Sequence, residues 1–334
     1  MRVLVTGAAG FIGMHLSERL AREGNEVFGV DNLNSYYDVS LKKSRLSLLE
    51  RSDNFSFMET DIRDEKALST AFNVSDPHCV VHLAAQAGVR YSIENPREYV
   101  STNVSGTLNI LEECKRKMLS HLVYASSSSV YGASNDLPFS IKSSANRPVS
   151  LYAATKKATE MMAYSYSDLF GLRTTGLRLF TVYGPWGRPD MALFTFTRKI
   201  ISGEPIDVYN YGEHRRDFTY IDDIVDGICK VLSSSPEART DVQTFDSNRS
   251  ISRAPFQIYN LGNSQPVKLL ELIEILSHAL GLEVKTNMLD AQLGDVPDTL
   301  ADITESVRDF GYSPETDIKE GVESFVKWYR GYYG

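Results

Sequence analysis

The sequence predicts an α/β protein built on a doubly wound parallel sheet, with a smaller C-terminal α/β lobe. Three observations carry that prediction. Short apolar, β-branched runs alternate with segments of helical period through the first half. A glycine-rich turn directly follows the first of those runs. After about Val182 the alternation stops at a cluster of glycines and prolines, and the pattern changes. Strands alternating with helices imply parallel strands joined by crossovers that cover both faces of a sheet.

Arg2 to Thr6 is a β-branched run, and Phe11 to Arg22 repeats apolar residues at Ile12, Leu16 and Leu20, the spacing of one helix face. Glu26 to Asp31 reads as a second strand and Asn54 to Asp61 as a third. Cys79 to Ala84 is continuously apolar, as a strand buried on both faces should be. Thr102 to Lys117 is a helix, and His121 to Ser126 and Thr174 to Phe180 are further strands. Gly184, Pro185, Gly187 and Pro189 then mark a loop. Beyond it, Ile206 to Tyr209 and Thr219 to Ile221 read as short strands, and Leu269 to Leu280 and Val322 to Tyr329 as helices. The stretch from Ser233 to Ser252, rich in Ser, Asp, Arg and Thr, reads as a surface loop.

With 334 residues the chain is long enough for one large domain and a lobe, and 42% hydrophobic residues supply a sizeable core. A formal net charge of −8 argues against nucleic acid or an anionic membrane as partner. No apolar run approaches the ~20 residues that span a bilayer, and the N-terminus lacks a signal-peptide pattern. Cys79, Cys114 and Cys229 are odd in number and lie in apolar stretches, the pattern of reduced core thiols in the cytoplasm. The six histidines show no ligand spacing, so no metal site is expected.

Gly7-Ala8-Ala9-Gly10-Phe11-Ile12-Gly13 lies between the first strand and the first helix. Gly7 permits the tight turn, Gly10 a close approach of backbone to a pyrophosphate, and Gly13 packing of helix on strand. The helix N-terminus, at Phe11 and Ile12, offers free N–H groups to phosphates. Asp31 ends the second strand, 18 residues after Gly13, where a carboxylate meets the adenine ribose hydroxyls. Asn32 follows it rather than a cation, which favours NAD over NADP. The fold expected is therefore Rossmann-type. An NAD-binding domain would cover 1–181, with segments near 219–232 and 256–264 returning to it, and 182–334 would be mainly the substrate lobe. Asp61 and Ile62 follow a strand and could meet the adenine. Leu83, Ala84, Ala85 and Gln86 end the apolar fourth strand, where small residues admit the cofactor backbone. Asn103 reads equally as a helix cap or as a support beneath the cofactor.

Tyr152 and Lys156 are four residues apart, on one face of a helix. A phenol is a poor base at neutral pH, and a neighbouring cation lowers its pKa. This pair stands about 25 residues after a strand that ends Ala125-Ser126-Ser127-Ser128-Ser129, a hydroxyl-rich lining where a parallel sheet opens.

The Gly-x2-Gly-x2-Gly turn, the Ser128 to Gly132 stretch (Ser-Ser-Val-Tyr-Gly) and Tyr152-x3-Lys156 resemble the extended short-chain dehydrogenase/reductase family of NAD-dependent epimerases and dehydratases. More closely, Asp31-Asn-Leu-Asn-Ser-Tyr-Tyr-Asp38, the segment Thr181 to Ala192 and Arg216-Asp-Phe-Thr-Tyr-Ile-Asp-Asp223 resemble bacterial UDP-glucuronate 4-epimerases. The resemblance runs from Met1 to about Tyr329 and is weakest near Ser233 to Ser252. It implies a redox cycle with tightly held NAD and no net oxidation. Tyr152 would take the proton of the sugar 4-hydroxyl, the 4-hydrogen would leave as hydride, and the 4-ketosugar would turn over before hydride returns to its other face. Ser127 would bond the 4-oxygen with Ser128 and Ser129 nearby, Ala125 would line the cofactor, and Lys156 would hold the nicotinamide ribose and tune Tyr152.

On the substrate side the resemblance points to Thr181 and Arg188 in the sugar segment, with Arg188 suited to the C6 carboxylate. Arg216 matches an arginine that meets the diphosphate. Val208, Tyr209 and Tyr211 would flank the uracil, Arg90 would face the sugar, and Asp298 would reach a nucleotide ribose. A homodimer built from paired helices is the expected assembly. A 4,6-dehydratase would carry an Asp-Glu pair where Ser128-Ser129 stand. A decarboxylase would place a Glu near the serines. The alternatives that remain are a UDP-glucose/UDP-galactose 4-epimerase and, in another class, a non-catalytic NAD-binding sensor, which need not keep Tyr152 and Lys156.

Overall fold

The computed structural model describes residues 1–134, 136–238, 254–291, 296 and 298–334. Among these, the strands are β1 (Arg2–Thr6), β2 (Glu26–Asp31), β3 (Phe55–Glu59), β4 (Cys79–His82), β5 (His121–Ser127), β6 (Thr174–Leu179), β7 (Thr181–Tyr183), β8 (Ile206–Tyr209), β9 (Arg215–Tyr220), β10 (Phe256–Leu261), β11 (Pro266–Lys268) and β12 (Thr286–Leu289). The central sheet runs β10-β6-β5-β4-β1-β2-β3. Every pairing in it is parallel. Strand order reverses between β1 and β4, so the crevice that such a sheet offers to a ligand opens at their C-terminal ends.

Helices cover both faces. Phe11–Arg22 and Ile221–Leu232 pack together on one side of the sheet. Glu65–Ser75, Thr107–Arg116 and Leu151–Phe170 lie on the other. β4 and β6 are buried at every position, which explains why their sequences carry no polar alternation. A separate core gathers Leu193, Phe196, Ile206, Val208, Phe218, Leu272, Leu276 and Phe325 around two small sheets, β11-β9-β7 and β12-β8. The chain is not partitioned at one point: β10 returns from this lobe to pair with β6.

Strand ends differ from the sequence reading by a residue or two, and three elements differ by more. The helix expected from Thr102 begins as a π-helical segment, Val100–Gly106, before Thr107–Arg116. The strand read as Thr219 to Ile221 is β9, which starts at Arg215, while Ile221 opens a helix. Its first half is polar because those side chains are partnered. Arg215 pairs with Asp298, and buried Asp217 accepts backbone N–H bonds from Asn263, Ser264 and Ala301. The C-terminal helix is longer than expected, Ile318–Tyr333. Of the loop read over Ser233 to Ser252, residues 239–252 lie outside the described residues.

Candidate active site

The glycine turn brings the ends of β1 and β4 together. Gly7 has φ +75°, and a Cβ on it would lie 2.8 Å from the Ala84 backbone nitrogen. A Cβ on Gly13 would meet the Gly7 carbonyl at 2.0 Å, so Gly13 is required by the turn itself. Gly10 caps the Phe11–Arg22 helix with no side chain, and no acidic residue stands in the first turn. The N–H groups there are therefore free of an internal carboxylate. The Phe11 side chain is buried in the core and Ile12 packs against it, so these two offer backbone only. Ile62 likewise is a core side chain, against Gly106 of the π-helical segment.

Beneath this turn, Thr6 Oγ1 accepts from the Leu83 and Ala84 amides at 3.2 and 3.1 Å. Its one hydrogen then goes to His82 Nδ1 at 2.8 Å, which leaves Nε2–H to donate to Thr107 Oγ1 at 3.1 Å. Burial pushes the His82 imidazole down to about 3, so this support is neutral throughout the physiological range. Ala85 is half-buried beside it. Asn103 does not cap a helix: it accepts from Gln86 N at 2.8 Å and donates to Gln86 O at 3.0 Å and Thr155 Oγ1 at 3.1 Å. Gln86 is thereby fixed, with its buried side-chain amide beside the Tyr99 hydroxyl.

Asp31 is buried at the end of β2, accepting from Ala9 N at 3.2 Å and Leu33 N at 2.9 Å. Burial raises its carboxyl pKa, with Lys42 and the two amides opposing. Asn32 donates to Asp61 at 2.9 Å, and Arg63 bonds the same carboxylate at 2.8 Å. The set fits a dinucleotide: an uncapped helix N-terminus at the switch point and a carboxylate one strand over.

The four serines divide in role. Buried Ser126 donates to Glu160 at 2.7 Å, which Arg178 holds through bonds of 2.8 and 2.9 Å. That buried pair anchors the Leu151–Phe170 helix one turn beyond Lys156. Ser127 Oγ accepts from Ser129 N at 3.2 Å and donates to Ser129 Oγ at 3.1 Å, and it stands close enough to the Tyr152 phenol to favour its ionised form. Ser128 and Ser129 are half-buried at the rim. Lys156 Nζ donates to the Ala125 carbonyl at 2.8 Å, and burial pulls its pKa down to about 8.

Burial raises the Tyr152 pKa; the Ser127 side chain and the charge of Arg188 oppose that rise. The Lys156 ammonium, one helical turn on, donates to Ala125 O. Arg188 thus adds a cation to the surroundings of Tyr152 that the sequence reading had assigned only to the sugar.

Arg188 itself is not an unpartnered arginine. Its Nε and Nη2 both donate to Asp190, and Tyr36 donates to the same carboxylate at 3.1 Å. Behind it, fully buried Arg45 donates to Ala9 O at 3.0 Å, Tyr37 Oη at 2.7 Å, Trp186 O at 2.6 Å and Gly187 O at 3.2 Å. One side chain thus ties the glycine turn to the loop that carries Arg188. Tyrosines 36, 91, 99 and 152 form a continuous wall with centroid separations of 4.8, 6.2 and 6.1 Å.

The remaining candidates are scattered. Thr181 opens β7 half-buried. Arg90 stacks over Tyr209, 4.9 Å from its centroid. Arg216 lies half-buried in β9 and donates to Arg215 O at 3.2 Å. Tyr211 is 56% exposed and donates to Asp290 at 3.0 Å. Val208 is fully buried in the second core, so its side chain does not flank a base. Asp298 is taken by Arg215 through bonds of 3.1 and 2.8 Å to the guanidinium, which leaves it poorly placed for a ribose.

The sequence reading missed Tyr36, Lys42, Arg45, Tyr99 and Asp190. Tyr36 lay inside the quoted Asp31 to Asp38 segment. Lys42 and Arg45 share the buried stripe of their helix with Leu41, Leu46 and Leu49, where cations would not be sought.

Residues 3–243 match the NAD dependent epimerase/dehydratase family. The UDP-glucuronate 4-epimerase 2 of Arabidopsis thaliana is 50% identical over 336 residues, covering 99% of this chain and 76% of that protein. The probable UDP-glucuronate 4-epimerase of Rhizobium meliloti is 47% identical over 332 residues, 98% of this chain and 97% of that protein. Among solved structures, the UDP-glucuronic acid 4-epimerase of Bacillus cereus in complex with UDP-glucuronic acid and NAD superposes with a TM-score of 0.89 at 32% identity, covering 100% of both chains. The switch-point crevice, the serine-lined strand end and the Tyr152–Lys156 helix accord with that match: the chain belongs to the NAD dependent epimerase/dehydratase family.

Proposed function

We propose that the protein is an NAD-dependent UDP-sugar 4-epimerase that interconverts UDP-glucuronate and UDP-galacturonate. The observation that carries the acidic-sugar reading is Arg188, a cation at the mouth of the site whose field reaches Tyr152. In a hexuronate the C6 carboxylate hangs on C5, next to the C4 centre on which Tyr152 would act, so a cation in this position suits the acid. The same relatives and the Bacillus cereus complex support the reading.

In this reading the main sheet holds the dinucleotide and the smaller lobe the nucleotide-sugar. The first-turn amides of the Phe11–Arg22 helix would face the pyrophosphate and Asp31 the adenine ribose. Lys156 would meet the nicotinamide ribose. Bound NAD supplies reversible uptake of a hydride from C4. Tyr152 takes the 4-hydroxyl proton and Ser127 bonds the oxygen, which becomes a carbonyl. Burial alone keeps the phenol protonated, so loss of its proton depends on the Ser127 side chain and on positive charge nearby. Arg216 and Arg90 would meet the diphosphate and sugar, and Tyr209 the uracil.

The reading extends to a cytoplasmic homodimer that supplies a precursor for polysaccharide synthesis. Exposed Leu108, Met161, Leu169 and Phe170 on two adjacent helices offer an apolar face for a second copy. No helix among the described residues is long and apolar enough to cross a membrane, and they hold no group of three or more metal-ligating side chains.

The test is to incubate the purified protein, without added cofactor, with UDP-glucuronate and separately with UDP-glucose, and to follow products by proton NMR. Conversion of the acid with little change in UDP-glucose is expected. Interconversion of UDP-glucose and UDP-galactose instead would overturn the acidic-sugar assignment while leaving the family and Tyr152.

A further inference from the structure

Arg188 already holds a carboxylate. Asp190 engages its Nε and Nη2 as a fork, and the Tyr36 hydroxyl fixes Asp190 from the other side at 3.1 Å. The pair is not a chance contact between loose side chains. Arg45 pins the Trp186 and Gly187 carbonyls immediately before it at 2.6 and 3.2 Å. Thr195 Oγ1 holds the Pro189 carbonyl between the two residues at 3.1 Å, and Met191 N returns to Arg188 O at 3.2 Å. The two side chains keep 23% and 29% of their surface, so the pair stands at the opening rather than in the core. A guanidinium has five N–H donors, and the fork to Asp190 uses two of its nitrogens.

An unpaired guanidinium would grip a sugar carboxylate with two charge-assisted bonds and set the ring in one orientation. A 4-epimerase cannot work that way. Hydride leaves one face of C4 and must return to the other, and its carrier stays on the same side of the site. The ring has to turn between the two steps, with its carboxylate changing partners.

We propose that Asp190 is a positioning residue that acts as a built-in counter-ion to Arg188, weakening its hold on the sugar carboxylate enough for the ketosugar to turn. Arg188 still recognises the acid, but as half of a neutral pair. Tyr36, from the segment that begins at Asp31, keeps Asp190 in place. This inference rests on the UDP-glucuronate reading.

The experiment is Asp190→Asn, which keeps the shape and removes the charge. Affinity is measured by calorimetry with UDP-glucuronate and UDP-glucose as probes, in a Tyr152→Phe background so that nothing turns over. Turnover is measured in Asp190→Asn alone. UDP-glucuronate should bind about three- to fivefold tighter, the scale of one partly exposed charge interaction, and its kcat should fall by a similar factor. UDP-glucose affinity should stay unchanged. Asp190→Ser should give the same split between kcat and affinity, so the result does not hang on one variant. In an Arg188→Ala background neither substitution should have a further effect. Weaker or unchanged binding of UDP-glucuronate, equal shifts for both sugars, or an effect that persists without Arg188 would overturn the proposal. Failure of the wild-type protein to convert UDP-glucuronate would instead overturn the function on which the proposal rests.

Discussion

The dinucleotide side and the sugar side of this site are built differently. On the dinucleotide side most of the work falls to backbone: the turn at Gly7, the uncapped helix start at Gly10, and the strand ends at Ala84 and Gln86. Its side chains, His82, Thr6 and Asn103, face inward and hold that backbone still. On the sugar side the candidates are side chains, drawn from the 87–91, 181–191, 206–216 and 298 segments. Several already have side-chain partners: Arg188 with Asp190, Asp298 with Arg215, Arg90 with Tyr209. A ligand that is kept needs a fixed cradle, whereas a sugar that must turn is better served by groups that exchange partners.

The sharpest break between the two sides is Tyr152→Phe. Turnover should fall about a hundred- to ten-thousand-fold while NAD stays with the purified protein, read from its absorbance after denaturation. Loss of NAD together with activity would mean that the two sides are not separable at this residue. Next in size, Arg188→Ala should cost about tenfold or more in kcat/KM on UDP-glucuronate and far less on UDP-glucose, in steady-state assays of both. Equal losses would remove the carboxylate role. Val208→Ala should lower stability by about 1–3 kcal/mol in chemical denaturation and leave KM unaltered, because that side chain lies in the lobe's core. A raised KM would return it to the uracil site.

The smallest effect concerns Lys156. Its ammonium titrates at about 8 in the folded chain, against 10.5 ordinarily, because burial disfavours the charge. Below about pH 8 it is charged folded and unfolded, and burying it costs stability. Between there and 10.5 the unfolded chain binds the proton that the folded chain has shed, so stability rises with pH. Lys156→Met removes this titration. The stability of the variant relative to wild type should therefore fall between about pH 8 and about pH 10.5 in denaturation curves. A constant difference would show that Lys156 is not desolvated.

What was legible in the sequence follows the same division. β1, β2, β4 and the glycine turn could be read because periodicity and turn geometry are local properties. Tyr152 and Lys156 were readable from their helical spacing, and the serines from their place at a strand end. Ser126 could not be told from Ser127 there, since only packing shows that one meets Glu160 and the other Tyr152. β9 was clipped because Arg215 and Asp217 look unlike strand residues until their partners near residues 298–301 are known. Arg45 and Asp190 left no local signal: their meaning lies in contacts with Ala9, Trp186 and Tyr36. For Val208 the sequence did not show that the side chain lies in the lobe's core, which leaves only its backbone to face a ligand.

The central claim is that hydrogen leaves C4 as hydride and returns to the same carbon. The most direct measurement uses UDP-glucuronate deuterated at C4, incubated with the protein in ordinary water, with the product examined by NMR and mass spectrometry. The account predicts UDP-galacturonate with its deuterium retained at C4. Product that has lost the label to solvent would contradict it, because the hydrogen would then have left as a proton.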